Sequence, residues 1–259
     1  MTVTWDPGLV SDELLELTRS LGDPSRNLVM LAEGNTSQRL ADNRLVVMAS
    51  GVRLSAAGRD DFVALDLDEM TTILEDPAAD EASVSRALGA GCSGGVRRRA
   101  SIESLMHSAV QAVAPVAFIA HTHPTDVLGL LSSIHAATAF ESSVDVGEAV
   151  AIGRPLFIPY VPPGLHLGRT VLQALRRRAD ETGEVPPLIL LGNHGIVAIG
   201  ATAAAVGDVT HMAVRAARVR TAALSVGGVL PLPAQSSHAL RARDDFAARR
   251  LSTEGTAGA

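Results

Sequence analysis

His121 and His123 stand two residues apart where the apolar run Val116-Ala117-Phe118-Ile119-Ala120 ends, and Pro124 follows them. Side chains two apart on a strand leave it on the same side, so both imidazoles can face one metal ion. The same local grammar recurs downstream, where Leu188-Ile189-Leu190-Leu191 leads into Gly192-Asn193-His194-Gly195 and supplies a third imidazole. Three neutral imidazoles with one coordination position open describe a catalytic rather than a structural zinc site. Taken singly, a histidine after a buried strand is also an ordinary hydrogen-bonded core or loop residue. The pairing at i, i+2 is what packing alone does not call for. His107, His135, His166, His211 and His238 lie in helical or loop contexts without a paired ligand and read as structural or exposed.

Glu103 falls in the first turn of the helix expected to feed the histidine strand, with Ser101 as its N-cap. There it can cap its own helix or serve as a general base. A carboxylate beside Zn2+ can ligate the free ion, then be displaced by a chelating substrate and take a proton from it. His107, one turn further on, can orient Glu103 through an i, i+4 contact or simply pack. Gly34-Asn35, Ser50-Gly51 and the helix start at Ser101 offer backbone N–H groups and small hydroxyls at turns after strands. Converging, they would form a phosphate-binding nest; singly, each is an ordinary turn. Arg53 and Arg59 can add charge there or lie exposed.

These residues need a scaffold, and 259 residues suffice for one large α/β domain, two being possible. Hydrophobic residues make up 47% of the chain but aromatics only 3%, so the core must be built from Ala, Val, Leu and Ile. A formal charge of −6 argues against a nucleic-acid partner, and the short basic run Val96-Arg97-Arg98-Arg99 does not overturn that. A single cysteine, Cys92, excludes an internal disulfide and fits a reducing compartment. Met1–Val10 has no signal-like leader, and no stretch approaches the ~20 apolar residues that cross a bilayer, so a cytoplasmic location without membrane attachment is expected. The glycosylation-like triplet Asn35-Thr36-Ser37 then needs another explanation.

Periodicity and capping signals place a helix from Ser11 to about Gly22, strands at Leu28–Ala32, Arg44–Ala49 and Phe62–Leu67, and a helix at Asp68–Glu75. Residues 76–99, rich in Ala, Gly and Ser, read as a mobile loop near the active site. Then follow a helix at Ser101–Val113, the histidine strand, a helix at Thr125–Ser132, a strand at Ala149–Tyr160 and a helix at Leu165–Arg178. Two strands interrupted at Asn193-His194-Gly195 span Leu188–Gly200, and Thr202 can cap a long helix over Ala203–Val226. Closely spaced strands pair antiparallel, so the expected fold is an α/β three-layer sandwich with a largely antiparallel central sheet. A doubly wound nucleotide fold is excluded, because no Gly-x-Gly-x-x-Gly follows the first strand and no Gly-Lys-Ser/Thr occurs.

The ordered set Glu33-Gly34-Asn35-Thr36-Ser37, Ala49-Ser50-Gly51, Ser101-x-Glu103-x-x-x-His107, His121-Thr122-His123-Pro124 and Leu191-Gly192-Asn193-His194-Gly195 resembles the class II aldolase/adducin family. The likeness runs from about Leu14 to Val226, and that family includes the fuculose- and rhamnulose-phosphate aldolases and ribulose-phosphate 4-epimerase. The resemblance implies an α/β/α sandwich over residues 1–232 with a C-terminal extension over 233–259, disordered at its end. It implies a homo-oligomer, usually a tetramer with active sites at subunit boundaries. By position, His121, His123 and His194 would bind Zn2+, with Mn2+ or Co2+ as alternates, and Glu103 would be the acid/base. Gly34, Asn35, Ser50, Gly51 and Ser101 would hold the phosphate of a small sugar-phosphate substrate. The implied reaction cleaves or forms a C–C bond of a ketose through a zinc-stabilised enediolate. The epimerase branch carries Asp where this chain has Glu103, which leans towards the aldolases. Aldolases of the family bring a tyrosine to the aldehyde oxygen, whereas the one tyrosine here, Tyr160, matches a pocket-wall segment, so the proton donor is unassigned. Epimerase, dehydratase or decarboxylase chemistry on the same zinc site is the alternative, followed by a non-catalytic adducin-like interaction module.

Overall fold

Ser11 accepts the Leu14 N–H at 3.1 Å, and Asp12 and Glu13 sit at the positive end of the dipole, so helix α1 (Asp12–Leu21) begins where capping chemistry predicts. The structure is a computed structural model that describes residues 5–89, 92–93 and 96–243. Along the chain follow β1 (Asn35–Arg39), β2 (Arg44–Met48), β3 (Phe62–Asp66), α2 (Leu67–Glu75), α3 (Glu81–Leu88), β4 (Cys92–Ser93), β5 (Val96–Arg97), α4 (Ser104–Val113) and β6 (Phe118–Thr122). Then come α5 (Thr125–Leu131), α6 (Val146–Ala151), β7 (Leu156–Ile158), α7 (Leu165–Thr182), β8 (Leu188–Leu191), β9 (Gly195–Gly200), α8 (Ala203–Ser225) and α9 (Ala234–Ala242). Strands β3, β2, β1 and β6 are neighbours in that order, as are β9, β8 and β7, while β4 pairs separately with β5. Pairing is antiparallel through β1, β2 and β3 and between β8 and β9; β7 runs parallel to β8. The mixed α/β class with a mostly antiparallel sheet is as expected.

Two compact units divide the chain, one running to Ala120 and including Val161–Val185, the other comprising His121–Tyr160 and the chain from Pro186 onward. In the first, β1 alternates its side chains. Thr36 meets Thr18 of α1 at 2.5 Å, while Asn35 and Ser37 turn to α4. Helix α4 packs against α7 and α2, and Leu105, Met106, Ala109 and Val110 are buried there.

Three expectations need correction. Leu28–Ala32 is not a strand: the Glu33 carboxylate accepts the Met30 N–H at 2.6 Å, Leu31 takes a left-handed φ of 53°, and both Met30 and Leu31 are exposed. Of the run only Leu28 is buried, and local turn chemistry closes the rest, so its apolar character carries no strand information. The segment 76–99 is not wholly loop: Asp80 caps α3 by accepting from Ser83, Val84, Ala87 and Leu88 bury one face, and β4 pairs with β5 after it, while 90–91 and 94–95 lie outside the described residues. The Ala149–Tyr160 strand shrinks to β7, because Asp145 caps α6 by accepting the N–H groups of Gly147 and Glu148. Burial pushes the Asp145 carboxyl up, but the Arg215 guanidinium and those two N–H groups outweigh it and hold the carboxyl below its ordinary range.

In the second unit Thr202 caps α8 as expected. That helix carries Arg220, 1% exposed, into a bidentate pair with the fully buried Glu148 of α6, at 2.6 and 3.0 Å. Carbonyls of Ala139, Ser142 and Ala216 take the remaining guanidinium hydrogens, and the Phe140 ring lies 4.4 Å from the charge. Removing one partner of such a pair typically costs about 3–5 kcal/mol, since the other charge is left buried. Helix α9, inside the expected extension, packs on α6; the end expected to be disordered, 252–259, lies outside the described residues. Among the described residues no helix is long and apolar enough to cross a membrane.

Candidate functional site

Strand β6 carries His121 next to its end and delivers His123 one residue beyond it. The tight turn between β8 and β9 delivers His194. Asn193 takes a left-handed φ of 53°, its N–H is held by the Leu131 carbonyl at 3.1 Å, and the His194 N–H returns to Leu191 at 3.1 Å. Three rings meet edge to face, with centroids 4.7, 4.9 and 5.1 Å apart. The structure therefore brings together the three imidazoles that sequence spacing singled out, with one ligand atom from each within 4.8 Å of the others.

His121 is fully buried and its Nδ1 lies 2.9 Å from the Ile196 carbonyl, which can only accept. The proton of a neutral ring is thereby fixed on Nδ1, leaving the lone pair on Nε2. That Nε2 faces Nε2 of His123 at 2.8 Å, an approach that needs a proton or a cation between the two nitrogens. The donor set fits a divalent ion of the zinc, cobalt or manganese kind, and the carbonyl behind His121 is the usual outer partner of a metal-binding imidazole.

Glu103 is placed differently from expectation. Helix α4 starts at Ser104, so Glu103 is itself the N-cap residue and its side chain makes no cap hydrogen bond; the hydroxyl of Ser101 accepts the Glu103 N–H at 3.4 Å. Its carboxylate instead accepts from Asn35 Nδ2 at 2.8 Å, and the same amide reaches Ser101 Oγ at 3.3 Å. His107 is fully buried with Nδ1 on Ser37 Oγ at 2.7 Å.

A sequence model of the class II aldolase and adducin N-terminal domain matches residues 12–221. The chain belongs to the class II aldolase/adducin family. No curated protein matches it. Among solved structures, YgbL from Klebsiella pneumoniae, whose description leaves aldolase, epimerase and decarboxylase open, shares 20% identity at a TM-score of 0.67, over 92% of this chain and 100% of that one. The N-terminal class II aldolase domain of a conserved Thermoplasma acidophilum protein gives 20%, 0.61, 84% and 94%. L-fuculose-1-phosphate aldolase from Thermus thermophilus gives 15%, 0.59, 85% and 97%. At these identities the likeness is one of fold, and the fold is that of the class II aldolases.

In this class II aldolase/adducin chain the residues expected to bind phosphate gather in one region. Gly34 (φ 75°) and Gly51 (φ 81°) occupy left-handed turns that favour glycine, and the Ala49–Ala100 bridge sets Ser50-Gly51 beside Ser101. Two of the backbone donors are already committed, Ser50 N–H to the Arg99 carbonyl and Ser101 N–H to the Met48 carbonyl. Of the two arginines, Arg59 is tied to Asp12 and the Val10 carbonyl, while Arg53 is exposed. Tyr160 is 59% exposed, and its N–H side packs beside Gly192.

Sequence reasoning missed Asn35 as the partner of Glu103 and missed why a glycine must stand at 195. A Cβ on Gly195 would lie 2.5 Å from the Thr122 carbonyl oxygen, 2.8 Å from the His123 ring and 3.3 Å from the His121 ring. Only glycine lets the second strand end pass under both rings. Gly195→Ala should therefore cost about 1–3 kcal/mol by overpacking, read as a fall of roughly 2–4 °C in Tm per kcal/mol. Thermal unfolding checks this, and an unchanged Tm would mean that the rings have room to yield.

Proposed function

We propose that this chain is a metal-dependent class II aldolase that cleaves or forms a C–C bond of a ketose, in the first place a sugar phosphate. The observation that carries the reading is the cluster of His121, His123 and His194, three rings converging with Nε2 of His121 held as a lone-pair donor. These three imidazoles would hold the ion, zinc before manganese or cobalt. Bound there, a divalent ion supplies Lewis-acid stabilisation of negative charge developing on the substrate's carbonyl and hydroxyl oxygens. Glu103 shuttles the proton at the reacting carbon. Its carboxylate is kept oriented by Asn35 and is not consumed in capping α4. Ser101, Ser50, Gly51 and Gly34 supply hydroxyls and remaining turn N–H groups for the substrate phosphate.

The reading extends to a cytoplasmic homotetramer with the family domain over 1–232 and an extension after it. Cysteine usage supports the compartment, and the family resemblance supports the assembly. Zinc-loaded protein offered L-fuculose 1-phosphate, L-rhamnulose 1-phosphate, L-ribulose 5-phosphate and the free ketoses should release dihydroxyacetone phosphate from a 1-phosphate, or dihydroxyacetone from the 5-phosphate or a free ketose, in at least one case. Epimerised, dehydrated or decarboxylated product without either fragment would move the assignment to another reaction of the same site.

A further inference from the structure

Strand β1 and helix α4 are joined by a ladder of polar rungs. Asn35 Nδ2 donates to Glu103 at 2.8 Å, Ser37 Oγ meets His107 Nδ1 at 2.7 Å, and Arg39 Nη1 donates to Gln111 Oε1 at 3.3 Å. The spacing works because two strand residues advance about 6.6–6.8 Å and four helical residues about 6.0 Å. Residues i, i+2, i+4 of the strand therefore stay level with j, j+4, j+8 of the helix. A slip of one residue along β1 would turn all three rungs to the other face.

The middle rung of the ladder is dry, and the ladder's far end is anchored. Ser37 and His107 are fully buried, Asn35 is 1% exposed and Gln111 4%. Gln111 also holds both the N–H and the carbonyl of Val116, at 3.2 and 2.8 Å, which fixes the turn leading into β6. At the near end the carboxylate of Glu103 can only accept when ionised, so the Asn35 amide nitrogen must face it. The other end of that amide, Oδ1, is buried and has no hydrogen-bond partner among the described residues. The amide is thus oriented through its nitrogen alone, towards Glu103 and Ser101.

We infer that this ladder is the device that sets the orientation of Glu103, and that Asn35 and Ser37 are positioning residues for the base rather than holders of substrate. The inference rests on the reading of Glu103 as the base. It differs from the phosphate-binding role that the family resemblance gives Asn35.

Solvent exchange at C3 of dihydroxyacetone phosphate, followed by proton NMR in D2O with zinc-loaded protein, isolates the proton step from any aldehyde partner. Asn35→Ala should lower kcat for exchange by about 10²-fold, the scale of a reacting group misplaced by about 1 Å, with KM shifted less than about threefold and zinc content unchanged. Ser37→Ala, one rung removed from the carboxylate, should lower kcat by about tenfold at constant KM, and Ser37→Cys should restore part of it. In a Glu103→Gln background neither substitution should slow the residual exchange further. A loss confined to KM makes Asn35 a substrate contact, an unchanged kcat in both variants makes the ladder mere packing, and a loss that persists undiminished in the Glu103→Gln background acts elsewhere; each overturns the inference. Should Asn35→Ala fail to fold, the Ser37 pair decides alone. Full exchange by Glu103→Gln overturns the base assignment itself, whereas a dead Glu103→Gln beside normal Asn35 and Ser37 variants sinks only the ladder. No exchange by the unmodified protein removes both.

Discussion

His123→Ala should leave a folded protein that holds well under one equivalent of zinc after dialysis and turns over at the background rate. The residue is suited to the test because it lies just past the end of β6 and is only partly buried, so its ring can be removed without breaking the strand ladder or opening the core. His121 is a poorer choice: it is fully buried and its Nδ1 ties the strand end to the Ile196 carbonyl, so its loss would confuse folding with binding. Removing the His123 ring takes away the Nε2 that lies 2.8 Å from Nε2 of His121 and leaves two imidazoles, too few for a catalytic zinc site built on three protein ligands. Elemental analysis, circular dichroism and release of dihydroxyacetone phosphate read the three consequences separately. Stoichiometric zinc in His123→Ala would mean that the ring cluster is not the ion's site.

What the sequence disclosed was chemistry carried by short-range pattern. The i, i+2 histidines after an apolar run and the recurrence at His194 are statements about strand ends, and strand ends are where β6 and the β8–β9 turn put them. Capping was equally legible at Ser11 and Thr202, where the capping oxygen and the N–H it accepts are three residues apart. The failures have a different character. Leu28–Ala32 looked apolar, but a single side-chain contact from Glu33 closes it into a turn, and hydrophobic periodicity does not register such a contact. The helix α6 that reaches into an apparent strand is held by Arg220, 72 residues from Glu148, so no window of sequence could weigh that partner. Asn35 shows the same limit within the site: its turn context suggested an anion nest, whereas the contact that the fold makes is with Glu103, 68 residues away. Gly195 was visible as a turn glycine, but the reason for it, two rings and a carbonyl within 3.3 Å of its missing Cβ, exists only in three dimensions.

Glu103→Gln should keep its metal and its fold and lose turnover by about 10²–10⁴-fold, the range that general acid–base catalysis contributes. The substitution is nearly isosteric, and Gln can present its amide oxygen to Asn35 Nδ2, so the hydrogen bond that orients the side chain survives while the proton affinity does not. Stability should change little because the Glu103 side chain makes no cap bond to α4, which begins at Ser104 and is held by its buried face. Metal should be retained because three imidazoles suffice to hold the ion in this reading, the carboxylate being a ligand that substrate displaces. The pattern expected is therefore a fall in kcat with zinc content and Tm near those of the unmodified protein, in contrast to His123→Ala, where zinc and turnover go together. Glu103→Asp sharpens the test: it keeps the charge but withdraws the carboxylate by one methylene, so its rate should lie between those of the parent and of Glu103→Gln if reach as well as basicity matters. Full activity of Glu103→Gln on the substrate identified by the ketose screen would show that the proton is taken by another group.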